Sequence, residues 1–111
     1  MDLTATHQGK ALIIAPQGRL DSITAPAFEK ALMQQLGDHN QLILDFSDLD
    51  FISSAGLRVL LMAAKQINRN DGRFVLCAVS APIREVLEIS GFLGMLEVVG
   101  SRDQALAVMS P

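Results

Sequence analysis

The chain contains one cysteine, Cys77, no tryptophan, no tyrosine and no block of lysine or arginine. A single thiol cannot build an intramolecular disulfide framework or a cysteine-rich zinc site, and it suits a reducing compartment. With a net charge of −3 and no basic patch, the chain lacks the electrostatic footprint of a nucleic-acid binder. No apolar stretch approaches the roughly 18 residues of a spanning helix, and the N-terminus shows no basic start followed by a long apolar run. The expectation is a cytoplasmic protein with no direct membrane insertion.

What is present is aliphatic. Half of the 111 residues are hydrophobic and only five are aromatic, all phenylalanine. A chain of this length buries roughly two-thirds of its extended surface, so one domain spanning residues 1–111 needs no disulfide or metal. Leu3 to Thr6 and Ala11 to Ala15 read as strands of an edge hairpin, with a turn at His7 to Lys10. Pro16 and Gly18 close the second strand, and Arg19 to Ser22 form a loop leading to Thr24 as N-cap and Pro26 in the first turn of a helix. Phe28, Ala31, Leu32 and Leu36 carry that helix to Gly37, a left-handed C′ residue.

A buried strand, Leu42 to Phe46, a polar turn, Ser47 to Asp50, and the apolar pair Phe51 and Ile52 lead into a Ser-Ser-Ala-Gly junction. From there Leu57, Leu60, Leu61, Ala64 and Ile67 define a helix from Ala55 to about Asn68, ended by Asn70-Asp71-Gly72. Phe74 to Ala78 is a strand buried on both faces, Ser80 and Pro82 open a third helix that ends at Ser90-Gly91, and Leu96 to Val99 is a short strand. Ser101 and Gln104 form the capping box of a fourth helix. Strands alternating with helices after a hairpin give an α/β fold with a mostly parallel sheet and right-handed crossovers. The pattern is compatible with helices on one face or on both.

The junction carries the chemistry. A serine at a helix N-cap satisfies an orphan backbone amide, and the same donors with the helix dipole favour an anion, so Ser54 stands where a phosphoryl group could be held. Plain capping, at about 1 kcal/mol, is the alternative reading. Gly56 would let another chain approach closely, or is simply a tolerated glycine.

The run DFSDLDFISSAGLRVLL from Asp45 to Leu61, GRLD from Gly18 to Asp21 and SAPIREVLEISGF from Ser80 to Phe92 together resemble the STAS domain of anti-sigma factor antagonists, also called anti-anti-sigma factors. The resemblance spans nearly the whole chain. It implies a small mixed sheet with about four helices packed mainly on one face.

It also implies a function. In the sporulation member the corresponding run is Asp-Ser-Ser-Gly, and its first serine is phosphorylated by the anti-sigma factor acting as a kinase. Aligned on Phe51 and Gly56, that serine falls on Ser54; Ser53 stands where that member has aspartate, and Ala55 replaces its second serine. Two adjacent hydroxyls result, which keeps Ser53 as the alternative modified residue. The aspartate of the Gly-x-Leu-Asp motif falls on Asp21 and is implied to contact the kinase, whereas the residues alone read it as a solvated turn. Arg19 receives no role. The implied partner surface is Asp21, Ser53, Ser54, Ala55, Gly56 and Arg58. The implied partners are an anti-sigma factor that is a serine-protein kinase, bound by the unphosphorylated form, and a PP2C-type phosphatase that restores it. No cofactor belongs to the chain itself. The alternative within the same fold is a structural subunit of a membrane-associated assembly, such as a lipid-transporting ABC system, with the helix from Ser54 as docking face.

Enzyme readings fail on spacing. A cysteine phosphatase loop needs five residues between cysteine and arginine, and Cys77 and Arg84 are separated by six. Neither a Walker loop nor GxGxxG is present. His7 and His39 sit in polar turns with no triad around them, and Cys77 reads as core. Asp45, Asp48 and Asp50 form an acidic turn without the central glycine of a calcium loop, so they read as polar punctuation and not as a metal site. Gly91-Phe-Leu-Gly94 mimics an RNA-binding GXXG loop, but Glu88 and Glu97 flank it.

Overall fold

The structure, a computed structural model, describes residues 1–109. Its elements in chain order are β1 (Leu3–Gln8), β2 (Ala11–Pro16), β3 (Gly18–Leu20), α1 (Ala25–Leu36), β4 (Gln41–Asp45), β5 (Leu49–Ile52), α2 (Ser54–Arg69), β6 (Arg73–Cys77), α3 (Ala81–Ile89), a 3-10 turn (Leu93–Met95), β7 (Glu97–Val99) and α4 (Arg102–Met109). The main sheet runs β1-β2-β4-β6-β7. β1 and β2 are antiparallel and all later pairs are parallel, so the expected mixed, mostly parallel sheet is what forms.

Strand periodicity assigns the helices to its faces. Leu12 and Ile14 of β2, Leu42 and Leu44 of β4 and Leu76 of β6 join Phe28, Leu32, Leu57, Leu60, Ile83 and Leu87 in one core beneath α1, α2 and α3. The alternate residues Ile13, Ile43, Val75 and Cys77 meet Ala105 and Met109 of α4 on the other face. Three helices on one side and one on the other explain why β2 is buried along its whole length. Each large aliphatic side chain so enclosed contributes about 1.5–3 kcal/mol.

The first hairpin is longer than its apolar pattern suggests. It turns at Gly9-Lys10, with Gly9 at a φ of +61°, so His7 lies in strand β1 and not in the turn. The segment read as a loop after Pro16 contains β3, which pairs in parallel with β5 as a separate two-stranded ribbon. Three residues of Gly-Arg-Leu carry no periodicity, and only the partner strand makes them a strand. α1 ends at Leu36 as expected, with Gly37 at a φ of +47°.

Two close approaches hold the connections. A Cβ on Gly72 would run into the Asn40 carbonyl, and one on Gly56 would stand 2.7 Å from Ile52 Cγ1 and 2.8 Å from Leu20 Cγ. Gly56 is thus buried, and the approach it permits is made by the protein's own β3–β5 ribbon beneath α2, not by another chain.

Asp45 does not belong to the exposed acidic turn. It is 6% exposed, not turn punctuation. Its Oδ2 accepts a hydrogen bond from Arg102 Nε at 2.9 Å, and its Oδ1 accepts one from the Ser47 amide at 3.0 Å. Burial alone would raise this carboxyl, but the Ser47 amide and hydroxyl and then Arg102 outweigh it and hold the group below the usual carboxylate range. The pair fastens the start of α4 to the end of β4. Gln104 completes the cap there, although its side chain accepts from the Gly100 amide at 2.7 Å while the Ser101 hydroxyl accepts from the Gln104 amide at 3.2 Å.

Gly56→Ala and Gly72→Ala are each expected to lower stability by about 1–3 kcal/mol, while Gly94→Ala, whose Cβ would meet nothing within 4 Å, stays within about 0.5 kcal/mol in urea unfolding. Arg102→Gln leaves Asp45 with a weaker partner and is expected to cost about 1–3 kcal/mol at pH 7. Because the folded-state pKa of Asp45 is depressed, the contribution is full above the unfolded value of about 3.9 and fades as pH falls through the folded one. Unfolding curves of the two proteins at pH 7 and pH 3 should therefore converge at the lower pH.

Candidate functional site

The site is assembled where β3 and β5 end side by side. Leu20 pairs with Ile52, and one residue on the Ser53 amide donates to the Leu20 carbonyl at 2.9 Å. That bond sets Asp21, which follows Leu20, next to the Ser53-Ser54 junction. The structure thus brings together the GRLD and FISSAG segments, with Leu20 opposite Ile52, thirty-two residues further along the chain.

At the junction the helix starts one residue earlier than expected, so that Ser53 and not Ser54 is the N-cap. Ser53 is the N-cap, with extended backbone (φ −104°, ψ 177°), and its carbonyl accepts the Leu57 amide at 3.0 Å. Ser54 is the first helical residue. The Ser53 hydroxyl does not cap the helix: it is buried with no hydrogen-bond partner. Ser54 is exposed, and so is Arg58 one turn further on, while Ala55 is half-buried and Gly56 fully buried. The first-turn amides of α2 are left without a side-chain cap, an arrangement with a partial positive charge beside Ser54.

Asp21 is more than a solvated turn. Its Oδ1 accepts the amides of Ile23 at 3.0 Å and Thr24 at 3.1 Å, and its carbonyl accepts the Ala25 amide at 2.8 Å. Its side chain thus closes the turn that leads into α1, while Thr24 is the N-cap by position but makes no side-chain cap. The Thr24 hydroxyl instead donates to the Arg19 carbonyl at 2.7 Å and accepts the Asp21 amide at 3.0 Å, closing the loop on itself. The Thr24 amide above all, and then the Ile23 amide, the Thr24 hydroxyl and Arg19, hold the Asp21 carboxyl below its ordinary value against some desolvation. The group is an anion at neutral pH. Arg19, given no role from sequence, lies 3.7 Å from Asp21 Oδ2 and places its guanidinium 4.2 Å from the centre of the Phe51 ring. The register that pairs Arg19 with Phe51 is what puts it there.

Beside Ser54 runs a groove of about 260 Å³ lined by Ser54, Leu57, Arg58, Leu61, Ser90 and Phe92. Ile89, next to Ser90, is 78% exposed, and Ile23, two residues after Asp21, is 85% exposed. Leu61, Ser90 and Phe92 were not identifiable as site residues, because helical spacing marks Leu57 and Leu61 as core and says nothing of what α3 leaves uncovered. The surface round the serine is thus apolar with one cation, Arg58. It has the chemistry of a docking face and holds no nucleophile–base pair.

Other candidates fall away on geometry. A larger hollow of about 620 Å³, with Gln8, Lys10, Gln41 and Arg73 in its wall, lies away from the junction, and Arg73 there is already paired to Glu97 at 2.6 Å. Cys77 is fully buried, and burial first, with Asp45 second, pushes its thiol up to about 11, which makes it inert. Among the described residues no three His, Cys, Asp or Glu side chains gather as a metal cluster, and no helix is long and apolar enough to cross a membrane.

Comparison with known proteins agrees with this frame. The STAS domain family model matches residues 2–105. A Bordetella bronchiseptica protein, BtrV, which carries the provisional name anti-sigma factor antagonist, is 43% identical over 108 residues, covering 96% of this chain and 93% of that one. An anti-sigma F factor antagonist of Paenibacillus polymyxa is 26% identical over 110 residues, covering 96% and 92%. The fold is also that of the Bacillus cell fate determinant SpoIIAA in its phosphorylated form, with a TM-score of 0.75 at 19% identity over 98% of this chain and 100% of that one. On the family match and the 43% relative together, this chain belongs to the STAS domain family, among relatives named as anti-sigma factor antagonists.

Proposed function

We propose that this protein is an anti-sigma factor antagonist that works by partner switching in the cytoplasm. In its unmodified form it binds an anti-sigma factor that is also a serine kinase. Phosphorylation of Ser54 ends the contact, and a PP2C-type phosphatase restores it. The chain is the substrate of both enzymes and catalyses nothing; Mg-ATP belongs to the kinase. The observation that carries this reading is an exposed serine at the first position of α2 beside an apolar groove, in a chain whose relatives bear the antagonist name.

The geometry supports Ser54 over Ser53 as the acceptor. A kinase must reach the hydroxyl, and that of Ser54 is on an exposed residue whereas that of Ser53 is buried. Phosphoserine adds about −1.5 to −2 charges, which a helix N-terminus accommodates, so the fold survives the modification. The docking face does not. A dianion at the edge of an apolar groove must be desolvated when a partner covers it, and the Asp21 carboxylate adds like charge nearby. Arg58 lines this face, Asp21 stands at the end of β3 beside the junction, and Ala55 packs partly into the core next to Ser54. Gly56 and Ser53 act beneath it by fixing the start of α2.

Ser54→Ala is expected to remain folded and to bind the kinase within about twofold of wild type, while Ser54→Asp, with the negative charge in place, binds at least about tenfold more weakly at unchanged thermal stability. The check is a binding titration against the cognate kinase, with Mg-ATP incubation and peptide mass spectrometry on the wild type. Equal binding by the two variants, or phosphate appearing on Ser53 and not on Ser54, would defeat this mechanism.

A further inference from the structure

His7 and His39, far apart in sequence and left without a role by the switch, meet on the surface. Their Nε2 atoms are 3.2 Å apart, and the ring centroids are 5.0 Å apart at a tilt of 52°. The meeting follows from the fold. In β1, Leu3 and Ala5 face the core under α1, α2 and α3, so His7, two residues on, faces the same side. His39 lies in the connection from α1 to β4, where its amide is held by the Leu36 carbonyl at 2.8 Å.

We propose that His7 and His39 form a two-imidazole binding site for a divalent transition-metal ion of the copper, nickel and zinc group. Two nitrogens on one tetrahedral ion at metal–nitrogen distances of about 2.0–2.1 Å stand about 3.3 Å apart, and the rings behind them have centroids about 5 Å apart. The observed pair already has both separations. Imidazole is the ligand type these ions prefer, with copper bound most tightly. His7 is exposed and His39 half-buried, so water completes the coordination shell. No third His, Cys, Asp or Glu joins them among the described residues, which makes the site exchangeable and not a structural metal centre.

The bonding balances without any further reactant. As a hydrogen bond, one Nε2–H donates to the lone pair of the other Nε2. When the ion enters, that proton moves to Nδ1 of its own ring, and both Nε2 lone pairs are donated to the metal. The ion then clamps edge strand β1 to the α1–β4 connection. The site lies where β4 begins, whereas the Ser54 junction follows β5, so it stands independently of the switch.

The test is calorimetric titration of the tag-free full chain with copper(II) chloride and with zinc chloride, for wild type, His7→Gln, His39→Gln and the double variant. The expected result is one ion per chain, at least about tenfold weaker binding in either single variant, and little further loss in the double variant. Electron paramagnetic resonance of the copper complex should show two coupled imidazole nitrogens in wild type and one in each single variant, with unchanged circular dichroism. Single variants that bind as wild type does, or one ion shared between two chains with a doubled mass, would overturn the proposal.

Discussion

The contact on which this molecule depends is the seating of α2 on the β3–β5 ribbon. The Ser53 amide donates to the Leu20 carbonyl, and four residues after Ile52 the missing side chain of Gly56 lets the first turn of the helix settle against Leu20 and Ile52. Packed interiors leave no room for an added methyl at such a point. Everything of functional interest is referred to that seat: the exposure of Ser54, the burial of the Ser53 hydroxyl, the position of Asp21 at the end of β3, and the groove between α2 and the residues that follow α3.

The two faces of the main sheet divide the labour. Under α1, α2 and α3 lies the larger core, and the candidate docking face is built on the outside of that layer. On the opposite face α4 buries little beyond Ala105 and Met109, and the Asp45–Arg102 pair and the reciprocal cap around Gln104 add polar attachment. The polar attachments of α4 and the candidate switch surface are therefore separated by the thickness of the sheet. In the proposed mechanism a charge added at Ser54 does not have to travel through the core to act. It changes what can sit on the groove.

That locality also explains why serine suits the first turn. The uncapped amides of α2 favour a negative charge at Ser54, so the modification proposed there is compatible with the fold. Asp21 is fixed as an anion by the amides it caps and carries no buried cost of its own. Arg19 and Phe51 stack across the ribbon and stiffen the approach to it.

Much was legible in the sequence. The unbroken apolar run Phe74 to Ala78 identifies a strand covered on both sides, and the spacing of Leu57, Leu60 and Ile67 identifies α2, although the structure buries Ala63 where the spacing pointed to Ala64; Ala11 to Ala15 reads only as a hairpin strand, and its burial on both faces is decided by the assembled sheet. The motifs around Asp21 and Ser54 were legible as a resemblance, and with them the fold. What only the tertiary structure decided were matters of pairing between distant segments. Gly18 to Leu20 becomes a strand only because β5 is beside it. Thr24 leaves α1 without a side-chain cap because its hydroxyl oxygen is turned back to accept the Asp21 amide while its proton goes to the Arg19 carbonyl. Asp45 becomes the buried half of an ion pair because α4 returns the partly exposed Arg102 to it, and His7 meets His39 because the hairpin and the α1–β4 connection lie together. Local pattern determines which face of an element is buried; which polar group answers another across the sheet depends on register, and register is a property of the assembled chain.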